Sequence, residues 1–264
     1  MEFYDAILPA DGRIGEVFAA KVGTTIKALI PWQGQTLLSI ALSALRSTPQ
    51  VRRIVVIGNE EVACKARRCG ADVVVPPAHS APENIALGIQ WLREQPDGPT
   101  EKLLLLTTDL PFLSAEVLTT FLNECPADAD LVVPVLRREV FNARFPNSPA
   151  IFVRLKDGYW TTGCVFRVST SVYLHLLPLL ESLFRSRKSQ WKTALRVGPV
   201  VAWRFFTHQL TVPEIVQRAE RVLQCRAFAH TKAPPEVAYD IDNLPDYEKA
   251  FNYLTGGATS HGLQ

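Results

Sequence analysis

An apolar run at residues 3–8 (FYDAIL) stops at Pro9 and Gly12, the signature of a short strand entering a turn. Residues 35–46 follow with Leu37, Leu38, Ala41, Leu42 and Leu45 at helical spacing, a stripe that predicts a helix with one face on a core. RRIVVIG (52–58) is a continuous β-branched run, the composition of a strand buried on both faces of a parallel sheet. A helix near 60–68 precedes the strand DVVVPP (72–77), and another helix is expected over about 83–94. LLLLTTD (103–109) is the most emphatic buried strand in the chain. Ser114 stands as N-cap of a helix over 114–124, with Val117, Leu118, Phe121 and Leu122 on its buried side. DLVVPVL (130–136) supplies a further strand. The order βαβαβαβαβ predicts a parallel, right-handed, doubly wound sheet. Such sheets bind ligands beyond the carboxyl ends of their strands, so the residues after each apolar run matter most.

The second half is less regular. Residues 150–168 read as two strands around a Lys156-Asp157-Gly158 turn, a hairpin. An apolar helix over 171–184 runs into the basic stretch RSRKSQWK (185–192). TVPEIVQRAERVL (211–223) opens with Thr211 and Glu214 at capping-box spacing and is expected to bury Ile215, Val216, Ala219, Val222 and Leu223. EVAYDID (236–242) predicts a last strand, leading through Asn243 and Pro245 into a short helix near 245–254. The tail 256–264 is small and polar, and is expected to fray. No repeat and no linker divides the chain, so residues 1–255 read as a single domain.

Composition narrows the function. With 264 residues, 47% hydrophobic and 20% charged, the chain can bury a full core, which excludes a mostly disordered protein. Lys+Arg 28 against Asp+Glu 26 leaves +2, no whole-molecule attraction for nucleic acid or membrane. No run of about 20 apolar residues spans a bilayer, and the N-terminus lacks the basic head and small-residue cleavage site of a signal peptide. The five cysteines (Cys64, Cys69, Cys125, Cys164, Cys225) are odd in number, widely spaced and without CxxC, so free thiols in a reducing cytoplasm are expected. The five histidines form no triad and no metal spacing, and the five tryptophans are expected to pack rather than stack on a ligand.

Several segments offer chemistry. ADGRIG (10–15) sets Arg13 between two glycines just after the first strand, and Lys27 heads KALIPWQGQTLL (27–38). Glycines let backbone N–H groups approach a phosphate while Arg and Lys neutralise it; an ordinary surface turn is the alternative. The interval between Gly15 and Lys27, with Gly23, Thr24 and Thr25, reads as a long, mobile loop. Asp109 closes an apolar strand at the carboxyl edge, where a hard cation is held by one or two carboxylates and ligand phosphates, or where it caps a helix before Pro111. Asp240 and Asp242 alternate around Ile241, so both carboxylates share one face and repel each other unless a cation or proton intervenes; capping of the next helix is the competing role for Asp242. Asn84, at the start of a helix, offers a donor and an acceptor to a ligand or a cap to the helix. The basic stretch with Arg185, Arg187, Lys188 and Lys192 is either a solvated face or a hold on an anionic acceptor.

Taken in order, ADGRIG, KALIPWQGQTLL, LLLLTTDLPFL and YDIDNLPDYEKA resemble the MobA-like nucleotidyltransferases of the molybdenum-cofactor type, over most of residues 4–252. The resemblance implies a three-layer α/β/α domain with a mostly parallel sheet, the GT-A-like nucleotide-diphospho-sugar transferase fold. It implies transfer of a nucleoside monophosphate from a nucleoside triphosphate to a small phosphorylated acceptor, a pterin or sugar phosphate, with pyrophosphate released. On this reading Ala10, Gly12 and Arg13 line the triphosphate loop and Lys27 contacts phosphate. Arg13 and Lys27 stabilise the charge that develops on pyrophosphate, Asn84 meets base or ribose, and Asp109 with Asp242, and Asp240 less so, hold Mg²⁺, with Mn²⁺ as the alternative. A glycosyltransferase using a nucleotide sugar, and a catalytically silent nucleotide-binding relative, are the competing readings. The chain departs from the family in its loop, where Pro9, Ala10 and Asp11 stand in place of close glycines. It departs again at TTGCVFRV (161–168), where Cys164 replaces a polar amide beside Gly163. Neither nucleic acid nor membrane is an expected partner.

Overall fold

The computed structural model describes residues 2–186 and 208–254. The elements of the first half are β1 (Tyr4–Pro9), α1 (Glu16–Val22), β2 (Pro31–Trp32), β3 (Gln35–Thr36), α2 (Leu37–Arg46), β4 (Val51–Ile57), α3 (Glu60–Arg68), β5 (Val73–Val75), α4 (Ala81–Arg93), β6 (Lys102–Leu106) and α5 (Ala115–Asn123). Those of the second half are β7 (Leu131–Arg137), α6 (Arg138–Arg144), β8 (Val153–Leu155), β9 (Gly158–Thr162), β10 (Val165–Ser169), α7 (Thr170–Ser186), α8 (Val212–Leu223), β11 (Ala227–His230) and α9 (Leu244–Leu254). Single 3-10 turns span Lys27–Leu29 and Pro235–Ala238.

One mixed sheet in the order β5-β4-β1-β6-β10-β7-β9-β8, with β11 beside β7, carries the fold. The strands β5, β4, β1 and β6 run parallel, as the apolar runs imply, and the second half of the chain then enters antiparallel through β10. Strict alternation along the parallel strands makes two cores. Ala6, Leu8, Ile54, Val56, Leu104 and Leu106 face the layer of α2, α3 and α5. Ile7, Val55, Ile57, Leu103 and Leu105 face α4 and α7 on the other side. Each of these side chains leaves water almost completely, and each Val, Leu and Ile among them contributes about 1.5–3 kcal/mol before chain entropy is charged. Gly88 lets α4 lie against β1, since a Cβ there would meet Ile7 Cγ2 at 2.9 Å. The helices begin where polar caps follow strands: Thr36, Asn59, Ser80 and Ser114 each accept a hydrogen bond from the amide three residues on. Thr211 and Glu214 form the capping box their spacing predicts.

Several expectations are corrected. The interval between Gly15 and Lys27 is not a long loop but contains α1, ended by Gly23 at φ 78. Only Phe18 of that helix is buried, so its apolar periodicity is too short to register. Residues 236–242 are not a strand. Pro235 starts a 3-10 turn, and the chain then crosses the carboxyl edge of the sheet instead of joining it. The segment 158–169 is β9 and β10, separated by a bulge: Val132 to Val135 on β7 oppose Arg167 to Thr162, so the bulged side has two extra residues, and within it Gly163 N–H still donates to Pro134 O at 2.9 Å. The expected turn at Lys156-Asp157 does join β8 to β9. On α8 only Val212 is buried, whereas Ile215 and Val222 are exposed, because this helix lies at the rim of the sheet beside β11. Strand β11 carries no sequence signal of its own length. Trp32 and Trp160 are buried as packing residues, and the five cysteines are free. Arg185 is exposed and pairs with Glu181 at 3.8 Å. Arg187, Lys188, Lys192, Trp191, Trp203 and the tail 256–264 lie outside the described residues. Among the described residues no helix is long and apolar enough to cross a membrane.

Candidate active site at the carboxyl edge of the sheet

The first strand delivers a pinned loop. Ala10 is buried and its N–H donates to Ile57 O at 2.7 Å, so the chain leaves the sheet at Asp11. Residues 12–14 then pair with 25–27: Lys27 N–H donates to Gly12 O at 2.9 Å and Ile14 N–H to Thr25 O at 3.1 Å. Arg13 is exposed and its Nη1 donates to Thr25 Oγ1 at 2.8 Å. Among the described residues the N–H groups of Asp11, Gly12 and Arg13 have no protein acceptor. Three free donors in succession, beside an arginine and a lysine, are an arrangement that receives an anion.

Asn84 supports this loop from below. Its Nδ2 donates to Asp11 Oδ1 at 3.1 Å and its Oδ1 accepts from Ala78 N–H at 2.7 Å. The residue is 1% exposed, and the cap of α4 is Ser80, so Asn84 is neither the helix cap nor an open amide. It holds Asp11 turned toward α4, which removes the conflict between that carboxylate and an anion on the loop amides.

Opposite the loop stand three aspartates. Asp109 follows β6, and Asp240 and Asp242 follow the 3-10 turn Pro235–Ala238. Ile241 N–H donates to Asp109 O at 3.1 Å, a bond that locks the two crossings together. Ile241 itself is fully buried, so its neighbours Asp240 and Asp242 face the other way, as their alternation implies. One carboxylate oxygen from each of Asp109, Asp240 and Asp242 lies within 4.8 Å of the other two. Asp240 thus belongs to the cluster as fully as Asp242. Neither capping role applies: Ser114 caps α5, and Asn243 Oδ1 accepts from Asp246 N–H at 3.1 Å ahead of α9. Asp246 Oδ2 in turn accepts from the N–H groups of Asp242 and Asn243, at 3.0 and 3.1 Å, which fixes the backbone of the second crossing. Asp246 is the site residue that sequence reasoning missed, and its position three after Asn243 is the capping-box signal that could have found it.

The Lys27 ammonium lies between the acids, paired with Asp109 Oδ2 and, at 2.5 Å, with Asp242 Oδ1. Burial alone would lower its pKa, yet Asp109 and Asp242 outweigh that and hold it above the ordinary lysine range. Asp240 is pushed up to about 7, first by burial and then by repulsion from Asp109 and Asp242. Asp109 is buried, and its Oδ1 has no hydrogen-bond partner. A buried carboxylate oxygen left without a donor is costly, which is the condition a coordinated cation relieves. Three hard oxygen donors, one unsatisfied, suit Mg²⁺ or Mn²⁺ rather than a soft metal.

The Gly163–Cys164 bulge closes the floor. Cys164 N–H donates to Val237 O at 2.8 Å and its O accepts from Thr107 N–H at 3.2 Å, so the bulge ties both aspartate segments to the sheet. Gly163 is required by contact: a Cβ there would meet Val237 O at 2.7 Å. Burial raises the Cys164 thiol well above its usual range, with Asp240 and Asp109 adding to the effect, so it stays neutral.

Compared with curated protein sequences, the chain has no match. Among solved structures it is similar to a hypothetical transferase from Thermus thermophilus, with 27% identity and TM-score 0.78 over 91% of this chain and 97% of the other. A nucleotidyl transferase from Methanothermobacter shares 16% identity and TM-score 0.56, over 97% of this chain and 99% of its own. The inositol-1-phosphate CTP transferase from T. maritima shares 16% identity and TM-score 0.55, over 97% and 98%. At those identities the last two speak for the fold, the mixed-sheet α/β architecture of nucleotidyltransferases. The profile of the MobA-like NTP transferase domain matches residues 18–204, well over half of the chain, and the chain belongs to that family.

Proposed function

We propose that this chain is a divalent-metal-dependent nucleotidyltransferase that moves a nucleoside monophosphate from a nucleoside triphosphate to a small phosphorylated acceptor, within one domain spanning residues 1–255. The observation that carries the reading is the cluster of Asp109, Asp240 and Asp242 with Lys27 among them, facing a loop of free amides. An oxygen of the acceptor's phosphate attacks the α-phosphorus. A new P–O bond forms, the bond from the α-phosphorus to the bridging oxygen breaks, and pyrophosphate leaves with the electron pair. No side chain is consumed, so the protein's work is positioning and charge neutralisation. The amides of Asp11, Gly12 and Arg13 would hold the β- and γ-phosphates, and the Arg13 guanidinium and Lys27 ammonium would balance the charge that collects on the leaving group. Asp109, Asp240 and Asp242 would hold Mg²⁺, which supplies Lewis-acid stabilisation of the phosphoryl oxygens.

The test is a pyrophosphate-release assay with the four common triphosphates and Mg²⁺, joined to calorimetry on Asp109→Ala. Mg²⁺-dependent binding and turnover in the native protein, both lost in the variant while it stays folded, are expected. Equal triphosphate affinity in the two proteins, or nucleoside diphosphate released from a nucleotide sugar, would overturn the proposal.

A further inference from the structure

A cavity of about 630 Å³ opens directly off the aspartates. That volume lies within the roughly 300–1,000 Å³ of ordinary small-molecule sites. Asp240, Asp242 and Cys164 stand at one end, and the space then runs between the sheet and α8, past Val133, Trp160, Ala229 and Val216. Among the described residues that line it there is no lysine, arginine or histidine. Among those described residues the charged groups are the acids at the mouth, and Cys164 adds a neutral thiol.

These walls select by desolvation. An acceptor body rich in hydroxyls or carrying a second phosphate would give up its hydration to a space whose described lining is mostly apolar, offers polar side chains only at places such as Ser148, Thr161, Thr162 and Asn243, and holds no fixed cation. An apolar body gains by entering, at about fourfold in affinity for each methylene buried. A single phosphate at the aspartate end is a different matter, because that end is where the proposed cation and Lys27 offset the acids.

We infer that the acceptor is an amphipathic monophosphate, with an aliphatic or aromatic body in this cavity and its phosphate at the aspartate end. The inference rests on the transferase reading above and narrows its acceptor. The full-length protein is titrated in Mg²⁺ with octyl phosphate, 1-naphthyl phosphate, glycerol 3-phosphate and fructose 1,6-bisphosphate, with and without a saturating non-hydrolysable triphosphate. Octyl or naphthyl phosphate is expected to bind at least tenfold more tightly than the two hydroxyl-rich ligands, and the better of the pair tells an aliphatic from an aromatic body. Val216→Glu, and Ile215→Glu on the exposed turn of the same helix, are each expected to weaken the apolar ligand at least tenfold. Glycerol 3-phosphate or the bisphosphate binding as tightly as octyl phosphate would overturn the inference. So would apolar-ligand affinity unchanged in both variants, since that marks non-specific partitioning. Triphosphate binding is read separately: a protein that takes triphosphate but shows no apolar preference refutes only this inference. One that prefers octyl phosphate but takes no triphosphate refutes only the transferase reading.

Discussion

Lys27 occupies the space between Asp109 and Asp242 that a divalent cation would share, so the proposed cation would compete with the ammonium for the same oxygens. Lys27→Met keeps most of the side-chain volume and removes the charge. The pair with Asp109 is largely buried, the side chains being 17% and 7% exposed, so it contributes about 1.5–3 kcal/mol as a charged hydrogen bond. Asp242 is 67% exposed, and its share falls to about 0–1 kcal/mol in solvent. An incoming cation in the native protein must displace the ammonium, whereas in the variant it meets three carboxylates with no counter-charge. Partial protonation of Asp240 offsets some of the gain, so the lower bound of the Asp109 share, about 1.5 kcal/mol, is the fair figure; it corresponds to roughly tenfold in Kd. Mn²⁺ titrated without nucleotide, with free Mn²⁺ followed by electron paramagnetic resonance, should bind Lys27→Met about tenfold more tightly than the native protein. Triphosphate affinity should move the other way, because a phosphate contact is lost. In the native protein triphosphate and Mn²⁺ should strengthen each other's binding, since the triphosphate draws the ammonium off the acids, and this coupling should shrink in the variant. Mn²⁺ affinity equal to or weaker than native in Lys27→Met would refute the competition.

Asp5 is fully buried against Arg52, Arg53 and the Thr100 N–H. Burial would raise its carboxyl, but those partners outweigh it and hold it below the unfolded value of 3.8, so its stabilisation is complete above that pH and is lost as pH falls through the lower folded value. Asp5→Ala should cost about 3–5 kcal/mol at pH 7 by urea unfolding, and its deficit should narrow in acid; a deficit that widens there contradicts the pairing. Gly163→Ala pushes a Cβ to 2.7 Å from Val237 O and 2.8 Å from Pro134 Cγ, so it should cost about 1–3 kcal/mol and weaken Mn²⁺ binding by displacing Asp240; unchanged Tm and Mn²⁺ affinity would show the bulge to be slack. Ser114→Ala should cost about 1 kcal/mol in thermal unfolding and leave Mn²⁺ binding alone, the reverse of Asp109→Ala.

The parallel half of the fold was legible because its strands are buried on both faces. A continuous run such as LLLLTT has no polar face to confuse with a helix, and a capping residue after each strand marks where the next helix begins. The second half was harder for a physical reason. The segment 158–169 reads as one run of strand-forming residues, and what makes Gly163 necessary at the bulge that divides it is the close approach of the distant Val237 and Pro134, which the local sequence does not show. Strand β11 has four residues with Phe228 partly exposed at the rim, and neither length nor alternation marks it.

The candidate site divides along the same line. That Asp240 and Asp242 face together was a local fact, readable from Ile241 between them, and it holds although no ladder pairs the segment. Their meeting with Lys27, 215 residues away from Asp242, is not a local fact, and only the resemblance suggested it. The competing capping roles could have been settled from sequence alone. A cap must reach amides two or three residues on, and Ser114 and Asn243 stand immediately before their helices, whereas Asp109 is five residues ahead of Ser114. A carboxylate at a strand end, too far from any helix to cap it and followed by a better cap, has no local capping role to explain its burial. In Asp109 one oxygen is paired with the Lys27 ammonium while the other is buried without a partner, and the cost of that second oxygen is what a bound cation would recover.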